Sequence, residues 1–266
     1  MKNVNRYMNE LSRRTAGAGR YIKGVIVVLL AILFSGAALS AQDAISILNR
    51  IDKNMSANSR IIESAMVVHG RRNDRTMTAK IYTMGDKKSF TEYLSPARDK
   101  GTKMLKLEDE LWMYSPSTDR TIMISGHMLR QSVMGSDLSY EDMMDDRKLQ
   151  DVYTPVVAGE ETIDGRKCYL MELTAKVPGA AYHSRKMWVD VERLIPLKED
   201  LYAKSGQLLK RILLTDIKQI EGRWFPMKMN YKDMLKDGEG TDWIISTIQF
   251  DKTIPEHIFS KASLKQ

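Results

Sequence analysis

The chain has 266 residues, with 41 Lys and Arg against 34 Asp and Glu and a formal net charge of +7. Six of those basic residues and only one acidic residue fall in the first 41 positions, which leaves 35 against 33 in the rest. A nearly neutral remainder with scattered charge excludes nucleic acid as a partner, and one cysteine, Cys168, excludes an intramolecular disulfide.

The chain opens with Lys2, Arg6, Arg13, Arg14, Arg20 and Lys23, continues with an uncharged apolar run from Val25 to Phe34, and then turns to small residues from Ser35 to Ala41. Basic, apolar, small is the order of an export signal. Residues 1–41 are read as a signal peptide cleaved after Ser40 or Ala41, and residues 42–266 as one domain. The alternative is a retained anchor, but the apolar run is short against the roughly 20 residues that span a bilayer.

Ile45, Leu48, Ile51 and Met55 recur at three and four residues and predict a helix from Asp43 to about Asn58. From Ile61 onward the pattern changes to short β-branched, aromatic and methionine-rich runs. Strands are predicted near 62–70, 75–84, 87–94, 102–108, 110–115 and 120–124, and again near 150–160, 166–175, 184–191, 195–203, 207–220, 226–234 and 241–250. Turn pairs such as Gly85-Asp86, Asp164-Gly165, Glu221-Gly222 and Asp237-Gly238 separate them. The scarcity of helical periodicity after position 60 excludes a parallel α/β fold, whose crossovers need helices.

In Arg166 to Leu173 and in Thr241 to Phe250 the apolar side chains fall on both faces of the strand. A sheet built from such strands is expected to curl, with its concave face against a helix or lining a cavity. The fold class is therefore mainly β: an incomplete, strongly curved antiparallel barrel, with the N-terminal helix and a helical insert packed in or over its concave face. The insert is residues 125–148, where Ser139 and Asp142 fit a capping box that opens a short helix. It is longer than a connection needs. Two readings stay open, a lid that moves and a surface helix that closes the barrel mouth without motion.

Leu111-Trp112-Met113-Tyr114-Ser115-Pro116 followed by Arg120, then Gly135-Ser136-Asp137-Leu138-Ser139-Tyr140-Glu141-Asp142, and later Met187-Trp188-Val189-Asp190, resemble the LolA-like outer-membrane lipoprotein-sorting proteins. The resemblance covers nearly the whole chain after the leader. It implies a half-open barrel of about eleven antiparallel strands, a pocket for the acyl chains of lipoproteins or other lipids, and a monomer in the periplasm. An inner-membrane exporter would load it and an outer-membrane acceptor would unload it. No cofactor, metal or catalytic residue is implied. An arginine tethers the lid in such carriers; Arg120 and Arg130, which flank the insert, are the candidates here.

The pocket or its lid is expected to use Trp112, Tyr114, Met123, Met128, Leu129 and Met134, together with Leu138, Tyr140, Trp188 and Trp243. Arg120, Gly135, Ser136, Asp137, Ser139 and Asp142 are expected to anchor the insert, with Asp137 bonding backbone amides within it. Methionine is frequent, and its flexible thioether suits a surface that must repack around varied chains. The acidic group Glu141, Asp142, Asp145 and Asp146 reads as a solvated helix face. His69, His127, His183 and His257 are isolated and without metal-ligand spacing, and no Gly-x-Ser-x-Gly elbow or phosphate loop is present. An alternative function is a sensory module that binds mislocalised lipid and signals to a membrane partner.

Overall fold

The computed structural model describes residues 43–266; the expected leader over 1–41 lies outside the described residues. The first helix, α1, covers residues 43–55, and its Ala44, Leu48 and Ile51, spaced by four and three, form one buried stripe. Six strands follow: β1 (Ser59–Val68), β2 (Arg75–Met84), β3 (Lys88–Ser95), β4 (Lys103–Leu107), β5 (Glu110–Ser115) and β6 (Arg120–Ile124). After the insert with its short helix α2 (Tyr140–Met144), and a further short helix α3 (Leu149–Val152), come seven more. These are β7 (Tyr153–Ile163), β8 (Arg166–Ala175), β9 (Ser184–Asp190), β10 (Pro196–Tyr202), β11 (Leu208–Ile220), β12 (Arg223–Asp233) and β13 (Thr241–Phe250).

All thirteen strands form one antiparallel sheet in the order β6-β5-β4-β3-β2-β1-β13-β12-β11-β10-β9-β8-β7. The count equals the number of strand-like runs in the sequence and exceeds the about eleven that the resemblance implies. Two meanders are joined where β1 pairs with β13, so β6 and β7 are the free edges, and the insert is the chain that passes from one edge to the other. Register shifts at Glu63/Ser64, Thr78/Ala79 and Val157/Gly159 mark bulges, which bend strands and add to the curl. Asp164-Gly165 and Glu221-Gly222 each hold two successive positive φ angles between their strands, the requirement of the tight two-residue hairpin.

The concave face carries two cores. Residues 44, 48 and 51 of α1 pack on Met171, Leu173, Met187 and Val189 of β8 and β9. Beside them, Ile62, Ile81, Leu214, Phe225, Met229 and Ile245 of the central strands meet Val133 and Tyr140 of the insert. The convex face is not bare either. Ile254, Phe259 and Leu264 of the C-terminal tail cover Phe90 and Leu105, and Cys168, Trp188, Ile195 and Leu197 form a fourth cluster. Strands with apolar residues on both faces thus serve a hollow inside and small cores outside.

Leu48 is fully buried whereas Ile45, on the same helix, is half exposed. Leu48→Ala is expected to cost about 2–5 kcal/mol and Ile45→Ala no more than about 0.5 kcal/mol, read from the midpoints of urea unfolding.

Candidate functional site: the cavity beneath the insert

The insert opens with a 3-10 turn over Gly126–Arg130 and continues as a small hairpin. Val133 N–H donates to the Leu138 carbonyl at 2.8 Å and Tyr140 N–H to that of Gln131 at 3.1 Å. Met134 and Gly135, with φ of 50° and 72°, turn it. The buried Ser136 hydroxyl accepts the Leu138 amide at 3.2 Å. Ser139 then opens α2 in the expected capping box: its hydroxyl accepts Asp142 N–H at 3.1 Å, and the Asp142 carboxylate accepts Ser139 N–H at 2.7 Å. Asp137 reaches the sheet rather than the amides of the insert. Its carboxylate accepts the Asp233 amide at 3.0 Å and the Thr241 hydroxyl at 2.9 Å, at the junction of β12 and β13.

Between the insert and the sheet lies a cavity of about 290 Å³. Its floor is Ile62, Ile81, Ile212, Leu214, Met229, Trp243 and Ile245; Leu138 and Met143 roof it, and Ile51 and Met55 of α1 close one side. A polar wall holds Arg60, Asp142, Asp145, Asp146, Tyr182, Arg185 and Glu199.

That wall fastens the insert. Lys210 pairs with Asp142, whose other oxygen accepts the Tyr182 hydroxyl at 2.6 Å. Arg60 holds Asp146 at 2.9 Å. Lys106, itself buried, donates to the Met144 carbonyl at the end of α2 and to the Asp86 carbonyl, both at 2.6 Å. Arg185 lies 3.6 Å from Asp145 and 3.5 Å from Glu199, with its guanidinium 4.9 Å from the Tyr153 ring centre. From α1, the Asp52 carboxylate accepts the amides of Leu149 and Gln150 at 3.0 and 3.1 Å. The acidic group of the insert is therefore not the solvated face expected from its composition; Asp142, Asp145 and Asp146 each face a cation from the sheet.

Electrostatics follow from this placement. Burial drives the Asp142 carboxyl upward, yet the Lys210 ammonium and the Lys210 and Tyr182 hydrogen bonds outweigh it and hold the group below its ordinary value. Burial dominates at Glu199 and raises it despite Arg185. It also dominates at Asp52 despite the two amides.

Leu138, Asp142 and Trp243 are the sequence-predicted residues that line the cavity. Met128, Leu129, Met134 and Tyr140 pack on the inner core around it, Tyr140 donating its hydroxyl toward Met113 Sδ at 3.6 Å. Trp112, Tyr114 and Met123 alternate with the inward Leu111 and Met113 and with Ile124, and so point to the convex side. There Trp112 and Tyr114 pack beside the tail, Lys261 sits 3.8 Å over the Trp112 ring, and Met123 is exposed. Trp188 faces outward as well, its Nε1 donating to Glu161 at 2.6 Å. Arg120 and Arg130 are exposed, and the arginines that pair with carboxylates of the insert from the sheet are Arg60 and Arg185. The cations Arg60, Lys106, Arg185 and Lys210 were not singled out in the sequence. Lys210 did leave a signal, since it shares a face of β11 with Ile212 and Leu214. Among the described residues no three His, Cys, Asp or Glu side chains converge as a metal-binding group.

A family model described as "-like: Uncharacterized protein" matches residues 85–266. Among solved structures, a DUF1329 family protein from Desulfovibrio piger is 26% identical with a TM-score of 0.75, covering 85% of this chain and 99% of its own. A putative outer membrane lipoprotein-sorting protein domain from Vibrio parahaemolyticus is 22% identical with a TM-score of 0.74, over 85% and 100%. A LolA superfamily protein from Nitrosomonas europaea is 24% identical with a TM-score of 0.68, over 84% and 99%. No curated protein matches the chain.

Lys210→Met leaves the Asp142 carboxylate buried without its cation and is expected to cost about 3–5 kcal/mol at neutral pH. Adding Asp142→Asn should recover most of that loss, measured as a double-mutant cycle in urea. In the wild type, the depressed Asp142 pKa places its stabilising contribution above the ordinary value of 3.8, to be lost as pH falls through the lower folded-state value. In Lys210→Met the sign reverses, and acidification should narrow the gap to wild type.

Proposed function

The chain belongs to the family whose model spans residues 85–266 and has the LolA-like fold of outer-membrane lipoprotein-sorting proteins, and on that premise we propose that it is a periplasmic carrier of acyl chains. In this reading it takes the chains of lipoproteins or other lipids into the cavity and moves them toward the outer membrane. The observation that carries the reading is the hollow itself, an apolar floor left unfilled by side chains and roofed by a separate segment of chain. Interiors are ordinarily packed to crystal density, so a void of this size against Ile, Leu, Met and Trp side chains calls for an occupant.

The magnitudes suit a carrier. A methylene is close to a water molecule in size, and at roughly 30 Å³ each the cavity has room for about ten such groups. At about 0.8 kcal/mol per CH₂, that length contributes on the order of 8 kcal/mol. A bilayer offers the chain nearly as much, so exchange is close to balanced and membrane partners, an exporter and an acceptor, set its direction. Unpairing the insert from Lys210, Arg60 and Arg185 would enlarge the space for longer or multiple chains, and such a change of state provides the change of affinity. No step of this reading is chemical, and the cavity wall is a set of ion pairs that hold chain to chain. In the alternative role, sensing mislocalised lipid for a membrane regulator, the same cavity would be the receptor.

Gentle purification from a host with an outer membrane, followed by native mass spectrometry, is expected to show lipid bound to the mature protein. Ser89→Trp, which places a large side chain into the cavity, should abolish the bound mass, whereas Ile244→Trp on the exposed side of β13 should retain it. Equal lipid content in both variants would refute the cavity as the binding site.

A further inference from the structure

The cavity continues into a second space of different chemistry. A groove of about 670 Å³ lies between the end of α1, the β2–β3 turn, the starts of β1 and β12 and the residues that follow α2. Five residues, Asp52, Met55, Ser56, Arg60 and Asp146, line both spaces, so the Arg60–Asp146 pair stands at their boundary. On one side of that pair are apolar side chains. On the other are charges and amides, among them Asn49, Lys53, Asp86, Lys148, Gln150 and Asp151.

Most charges of the groove are already engaged. Asp52 caps α3, Asp146 is held by Arg60 and Lys106, and Asp251 accepts from Arg223 at 3.0 Å and from the Asn58 amide at 2.8 Å. Apart from the buried Asp52, whose carboxylate is taken up by two backbone amides, the charges left without an ion-pair partner among the described residues are two cations, Lys53 and Lys148, and two anions, Asp86 and Asp151, all exposed. Their sum is zero. A purely anionic or purely cationic group would meet as much repulsion as attraction, whereas a group carrying both signs can satisfy both pairs.

Resting on the acyl-chain reading, we propose that the groove is a head-group subsite for a zwitterionic amphiphile, a phosphate with a nearby ammonium, whose chain enters the cavity past the Arg60–Asp146 pair. The phosphate faces Lys53 and Lys148 and the ammonium faces Asp86 and Asp151. The volumes agree with this division. A chain of sixteen carbons outruns the cavity by several methylenes, which places its polar end at the boundary and its head in the groove.

The test compares three probes with the same sixteen-carbon chain, each below its micelle concentration: lysophosphatidylethanolamine, palmitate and a monoacylglycerol. Binding to the mature protein is followed by calorimetry. The wild type is expected to bind the zwitterion about tenfold more tightly than the uncharged probe, the equivalent of two exposed ion pairs. Lys53→Glu combined with Lys148→Glu should abolish that preference while leaving the monoacylglycerol affinity within about twofold. Equal affinity of the wild type for the zwitterion and the uncharged probe, tighter binding of palmitate than of the zwitterion, or a preference that survives in the double variant would each overturn the subsite and leave the acyl-chain cavity standing. If none of the three probes binds, the carrier reading fails and the subsite with it.

Discussion

A sheet that curls this far encloses more concave apolar surface than one helix can cover. That constraint organises the molecule. Helix α1 fills the half of the concavity under β8 and β9, and the remainder, under the strands around β1 and β13, would face water were it not for the segment strung between the two sheet edges. The insert covers the central strands without filling the space beneath it. The result is a hollow with an apolar floor of hydrogen-bonded sheet, a charged wall, and a roof that is a short piece of chain ending in the single short helix α2.

How the roof is held matters as much as that it exists. Its hairpin half packs by Val133, Leu138 and Tyr140 and is pinned by Asp137 to the junction of β12 and β13. Its helical half is held by charge, through Lys210, Arg60, Arg185 and Lys106. Ion pairs suit a closure that must be reversible, since each charge released to solvent regains its hydration, whereas a released apolar side chain does not. The two halves therefore differ in what opening would cost, and the end that lies beside the groove is the one that water can most easily take over.

Much of this architecture was legible in the sequence, and the reason differs from feature to feature. Short β-branched runs separated by Asp-Gly and Glu-Gly pairs marked the thirteen strands because a tight hairpin needs residues that tolerate positive φ, and Asp164-Gly165 adopts it. The capping box at Ser139 was readable because both partners lie within one turn. The inward faces were not. Trp112, Tyr114 and Met123 sit on strands that are apolar on both sides, and a period of two says only that neighbours oppose one another, not which of them faces the hollow. What decided the matter was the C-terminal tail, whose Phe259 and Leu264 give the convex face a core of its own. The charged wall stayed hidden for another reason: Asp142 meets Lys210, and Asp146 meets Arg60, across stretches of sequence that local spacing cannot bridge.

The groove and the cavity together make one amphipathic space, greasy within and charged at the opening, in a fold shared with lipoprotein-sorting proteins. The most direct test is solution NMR of the isotope-labelled protein bound to a lipid whose acyl chain carries carbon-13. Contacts between chain methylenes and Leu214, Met229 and Ile245 beneath, with Leu138 and Met143 above, are the expected result. Contacts confined to convex-face residues such as Ile244 and Met123, with the hollow silent, would contradict the account.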